Sequence, residues 1–86
     1  MTILSRLFGP KYNDEQLTSY SRTAIIEDPL INEAAAVTIA SEKGVIKLAG
    51  TVHRESERNR IENVIRGSLQ NTGQKFDGIV NEIQVN

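Results

Sequence analysis

An α+β fold with element order helix–strand–strand–helix–strand follows from three patterns in this chain. The stretch Gly44-Val45-Ile46-Lys47-Leu48-Ala49-Gly50-Thr51-Val52 places Ile46, Leu48, Gly50 and Val52 on one parity, the period of a half-buried strand. Upstream, Val37-Thr38-Ile39 alternates in the same way, and the polar turn Ser41-Glu42-Lys43-Gly44 separates the two. Downstream come a long amphipathic helical pattern and a last alternating run from Ile79 to Val85. Together they predict a three-stranded mixed sheet with two helices packed on one face. The 86 residues form one domain over 13–86, preceded by an amphipathic segment over 1–12.

The first eight residues, Met1 to Phe8, precede a Gly9-Pro10 break. Ile3, Leu4, Leu7 and Phe8 share one side of a helical wheel, with Arg6 off it and Lys11 just beyond the break. Such a segment suits an interfacial foot that dips apolar side chains into lipid beside basic ones. It equally suits a turn packed on the domain, a self-association contact or a frayed end. Arg6 interrupts the apolar stretch and no small-residue cleavage site follows, so the segment does not read as an export signal.

The first helix starts at Asn13 as cap, with Gln16 three residues on and Tyr12 and Leu17 as a hydrophobic staple. Asp14 and Glu15 favour its positive end. Leu17, Tyr20, Ser21 and Ala24 form its inner face with Ile25 at the flank, and Pro29 ends the helix near Glu27. Leu30 and Ile31 are expected as core plugs. In the hairpin, Ala35, Val37 and Ile39 point one way and Thr38 and Ala40 the other. Two glycines are structural. Gly44 supplies a positive φ in the turn, and Gly50 marks a bulge or a close helix–sheet approach.

The second helix runs from about Arg54–Ser56 to Asn71, with Ile61, Val64, Ile65, Ser68 and Leu69 as its buried stripe. Glu55, Arg58, Arg60, Glu62 and Arg66 read as a solvated face of interleaved sign. Asn71-Thr72-Gly73 stops the helix, and Phe76 pins the following loop to the core. In the last strand Asn81 shares the apolar parity of Ile79, Ile83 and Val85, so it is expected to bond backbone. With both helices on one side, the other side of the sheet stays open. It carries Thr38, Val45, Lys47, Ala49, Thr51, Val80, Glu82 and Gln84.

Composition excludes several functions. Ten basic and eleven acidic residues leave a formal charge of −1, which argues against a nucleic-acid partner. There is no cysteine, so no disulfide, thiol nucleophile or thiolate metal site exists. His53 is the only histidine and reads as a helix cap after the second strand, so no multi-histidine metal site is expected. Neither GxGxxG nor GxxxxGK[ST] occurs, and Glu55 and Glu57 read as ordinary surface charges. No catalytic constellation emerges, and no cofactor is expected.

The Asp-Pro-Leu after the first helix, the VTIASEKGVIKLAGTV block, the charged helix and the closing IVNEIQV together resemble a BON domain over roughly Asp14 to Val85. The residues that carry the likeness are Gly44, Val45-Ile46-Lys47-Leu48, Gly50-Thr51-Val52 and Val80 to Val85. The resemblance implies a bacterial, non-enzymatic module, linked to stress response, that binds phospholipid surfaces or envelope partners, often in the periplasm. This chain departs from the pattern in its single copy, its lack of a signal peptide or lipid-attachment cysteine, and its longer link from Gln70 to Gly78. The first reading is therefore peripheral membrane association through Ile3, Leu4, Arg6, Leu7, Phe8 and Lys11, in the cytoplasm or at the inner membrane. The second is a protein-interaction or weak self-association module using the N-terminal patch or the open face, with Val45, Lys47, Ala49, Val80 and Glu82 as its candidate residues. The third is a small-ligand or cation sensor.

Overall fold

The computed structural model describes residues 11–86. Helix α1 spans Asp14–Glu27, strand β1 Val37–Glu42, β2 Val45–Val52, helix α2 Glu55–Asn71 and strand β3 Gly78–Val85. The sheet order is β1-β2-β3. The pair β1–β2 is an antiparallel hairpin and β3 runs parallel to β2, so the sheet is mixed. The parallel pairing follows from the α2 crossover between β2 and β3, since parallel neighbours need a long connection. The α+β fold and its element order agree with the sequence pattern.

Three rows of inward side chains cross the sheet under the helices. In register they are Ser41, Ile46 and Ile79; Ile39, Leu48 and Asn81; and Val37, Gly50 and Ile83. Against them pack Leu17 and Ile25 from α1, Ile61, Ile65 and Leu69 from α2, and Ile31 from the connecting loop. The buried residues of α1 are Leu17, Ser21 and Ile25, spaced four apart. Tyr20, expected on this inner face, is 37% exposed, and Ile25, expected at the flank, is fully buried. The narrower four-residue stripe has the small Ser21, fully buried, at its centre.

The loop between α1 and β1 departs from the expected pattern. Ala34–Ala36 close a short 3₁₀ turn ahead of β1, and Ala35 is exposed there rather than facing the core. Ile31 plugs the core as expected, but Leu30 is 63% exposed. The Asp28 carboxylate accepts from the Leu30 amide at 2.8 Å, and this turn points Leu30 outward.

The caps behave as their residue types dictate. Asn13 Oδ1 accepts the Gln16 amide at 3.1 Å. At the far end of α2, the Gly73 amide donates to the Gln70 carbonyl and the Gln74 amide to the Leu69 carbonyl, with Gly73 at φ 71°. That paired pattern is a Schellman termination. Phe76 then packs against the core and holds the link into β3.

Lys43 and Gly44 form the two-residue hairpin loop with φ of 51° and 83°. Two positive φ angles are what a type I′ turn requires. Gly44 is also a crossing point. Its amide donates to Asp14 and its carbonyl accepts from Asp77. A Cβ at Gly44 would meet the Tyr12 ring at 2.5–2.7 Å. Gly50 has φ 129°, and a Cβ there would run into the Ala36 carbonyl oxygen. Of the bulge and the close helix–sheet approach expected here, the close approach is the one found, but its partner is the 3₁₀ turn leading into β1 and neither of the two long helices.

Candidate interaction surface

With both helices on one side, every second residue of the strands faces away from the core. Thr38, Ala40, Lys47, Thr51, Val80, Glu82 and Gln84 are exposed, while Val45 and Ala49 between them are half-buried. The register places Thr38 beside Ala49 and Ala40 beside Lys47 across the hairpin. Lys47 stands opposite Val80 and Ala49 opposite Glu82 across the parallel pair. Small residues fill the middle of this face, so its relief is low. A shallow depression lies at its hairpin end, lined by Ala40, Ser41, Glu42, Lys43, Val45 and Lys47.

The face holds one basic side chain, Lys47, and two acidic ones, Glu82 in the middle and Glu42 at its hairpin end beside Val45. Lys47 Nζ and Glu82 Oε1 lie 4.0 Å apart, with side chains 59% and 56% exposed. A pair this hydrated and this long contributes little stability. Apart from Glu42 at the hairpin end, the rest of the face is hydroxyl, amide, valine and alanine, which suits contact with another macromolecule better than capture of a small ion.

Arg58 and Arg60 bond to other elements, which corrects the solvated-face reading of α2 at those two positions, while Glu55 stays exposed and Arg66 pairs with Glu62 along the helix. Arg58 Nε donates to the Ile83 carbonyl at 2.8 Å and its Nη2 to the Asn81 carbonyl at 3.1 Å. Asn81 completes the same arrangement. Its Oδ1 accepts the Ile83 amide at 3.0 Å, and its Nδ2 donates to the Arg58 carbonyl and to Glu62. These bonds take up the Asn81 and Ile83 carbonyls and the Ile83 amide, which disfavours strand addition along this part of β3, the usual hazard of an unpaired edge. Arg22 of α1 similarly donates to the Val37 and Ala34 carbonyls at the start of β1.

Two carboxylates join separate elements. Asp14 accepts from the Lys43 amide at 2.8 Å, the Gly44 amide at 2.9 Å and the Ser41 hydroxyl at 2.7 Å. The Gly44 amide and then the Ser41 hydroxyl hold its carboxyl below the usual carboxylate range. Asp28 takes both Arg60 Nε and Nη2 at 2.9 Å, and this bidentate pairing lowers its carboxyl and raises the guanidinium.

Glu57 corrects a second expectation. It is only 8% exposed, and its Oε1 accepts the Asn32 and Glu33 amides at 3.0 and 3.1 Å. It sits at the third position of α2, where a capping-box glutamate reaches back to the helix start. Arg54 occupies the cap and offers no side-chain bond. Glu57 instead reaches to the neighbouring loop, and nothing local in the sequence distinguishes it from Glu55.

His53 is exposed and does not cap α2. Its ring nitrogens lie 3.4 Å from the Asn86 carbonyl and 3.6 Å from Glu33 Oε1. Among the described residues no three His, Cys, Asp or Glu side chains converge as a metal site. No described helix is long and apolar enough to cross a membrane. Lys11 is exposed, with its ammonium 5.4 Å from the Tyr12 ring centroid. The other lipid-facing candidates, Ile3, Leu4, Arg6, Leu7 and Phe8, lie outside the described residues. Lys47, Val80 and Glu82 project from the open face, Val45 and Ala49 are half-buried within it, and Gly44 and Gly50 serve backbone geometry.

Comparison with curated proteins finds no match. The sequence model of the BON domain, in contrast, matches residues 13–86. That span opens at the Asn13 cap and takes in all three strands and both helices, including the Gly44 crossing point and the Asn81–Arg58 edge. The chain belongs to the BON domain family.

Proposed function

We propose that this chain is a non-catalytic binding module that docks a protein partner through the open face of its sheet. The observation that carries the reading is the division of labour around the sheet. One face is filled by α1 and α2, and Arg58 and Asn81 occupy the outer edge of β3. The remaining face is flat, with Val45, Ala49 and Val80 set among short polar side chains. Low relief and mixed polarity are properties of non-obligate protein interfaces.

Affinity capture on the immobilised chain tests this. A protein retained by the wild type is expected to be lost with Ala49→Arg, which plants a long charged side chain in the middle of the face. Asn63→Arg, on the exposed side of α2, serves as the control and leaves capture unchanged. Equal retention by wild type and Ala49→Arg sinks the reading.

A phospholipid surface is the second reading, favoured by the sequence alone, which would group Ile3, Leu4, Leu7 and Phe8 on one side of a helical wheel with Arg6 and Lys11 close in sequence. Apolar insertion next to cations is how short segments hold an anionic bilayer. Co-sedimentation with anionic vesicles is expected to fall when residues 1–10 are removed, and equal, negligible binding of both forms counts against it.

A further inference from the structure

The pattern of side chains on the open face selects its own occupant: we infer that a second copy of this chain docks there, face to face about a two-fold axis. The inference rests on the reading of that face as the docking surface. Lys47 stands opposite Val80, and two residues further along Ala49 stands opposite Glu82. All four share one parity, so they form a quadrilateral on the face, about 5 Å across and about 7 Å along the strands. One diagonal joins opposite charges, Lys47 and Glu82. The other joins two apolar residues, Val80 and Ala49.

A half-turn about an axis lying in the interface, close to the apolar diagonal, exchanges the two ends of the charged one. Lys47 of each copy then lies over Glu82 of the other, and Val80 and Ala49 pack near their own mates on the axis. Such a contact is isologous and needs no second kind of surface. The intrachain Lys47–Glu82 separation of 4.0 Å is at the limit of an ion pair and both side chains stay more than half exposed. Both charges are therefore available to a partner. Thr38 and Ala40 on β1 are short enough to let the second sheet approach, and the third outward residue of that strand, Glu42, lies at the hairpin end, away from the Val80–Ala49 diagonal.

Size sets the strength. Strands of at most eight residues at about 3.3 Å per residue, three abreast at about 5 Å, give a face of roughly 14 by 26 Å. This falls well below the roughly 800 Å² per partner of a standard stable complex. The dimer is accordingly weak and rapidly exchanging.

Sedimentation velocity on the full chain, from about 10 µM to about 1 mM, reads the association. Lys47→Glu and Glu82→Lys are each expected to weaken self-association by at least about tenfold, because each sets like charges against one another twice. In an equimolar mixture every reversed charge meets its complement, so a heterodimer of wild-type strength returns. Both positions are exposed, and circular dichroism confirms that the variants fold. A wild type that stays monomeric throughout, or a mixture that associates no better than either variant alone, overturns the inference. A monomeric wild type whose capture of a different protein is abolished by Ala49→Arg overturns self-pairing while leaving the docking face standing.

Discussion

At the residue scale, Gly50 shows most directly how a backbone demand is written into the sequence. It interrupts the apolar parity of β2 at the point where the chain entering β1 crosses closest, and its φ of 129° is one that side chains rarely adopt. Gly50→Ala is expected to cost about 3 kcal/mol, because it combines backbone strain with a collision against a backbone oxygen that cannot rotate away. Urea denaturation checks this, and a loss within about 0.5 kcal/mol would remove the close approach as the reason for the glycine. Asn81 is equally legible. A polar residue on a buried parity requires partners, and the structure supplies them from Ile83, Arg58 and Glu62. Glu57 is the opposite case. Its sequence neighbourhood resembles that of any surface glutamate, and only the arrival of the Asn32–Glu33 backbone beside it turns it into a buried acceptor.

At the element scale, α2 does more than cover the sheet. Its apolar stripe, Ile61, Ile65 and Leu69, was readable from spacing alone. Its polar residues were misread, because the helical wheel separates inner from outer face but does not show that Arg58 and Glu57 reach sideways to β3 and to the loop before β1. Glu57→Ala is expected to destabilise the fold by about 2 kcal/mol, since two loop amides lose their acceptor in a largely buried place. Glu57→Gln keeps the accepting oxygen and is expected to lose clearly less. Thermal unfolding of the two variants decides the matter, and equal losses would mean that packing rather than the hydrogen bonds is responsible. The hairpin and the glycine at its turn were readable, because a tight loop leaves few alternatives to glycine at that position. The turn was read two residues too long: Ser41 and Glu42 extend β1 and only Lys43-Gly44 form the loop.

At the scale of the whole molecule, the elements are joined by two carboxylates whose protonation is expected to weaken the fold in acid. Asp14 ties the start of α1 to the hairpin tip, and Asp28 ties the end of α1 to α2 through Arg60. Both folded-state carboxyls lie below their ordinary value of 3.8. The unfolded chain therefore takes up these protons first as pH falls. The stabilisation is complete above about pH 4 and is lost progressively below it, through the folded values. Urea unfolding at pH 7 and pH 3 is expected to show a smaller loss for the Asp14→Asn, Asp28→Asn double variant than for the wild type. An equal loss would place the acid sensitivity elsewhere. Local periodicity, turn residues and caps were sufficient to establish the identity and order of the elements, because each depends on contacts within a few residues along the chain. The partners of Arg22, Glu57, Arg58 and Arg60 lie 12 to 32 residues away, and only the packed chain brings them together. The open face belongs to both levels. Alternation set which residues share it, but only the placing of both helices on the opposite side left that face uncovered.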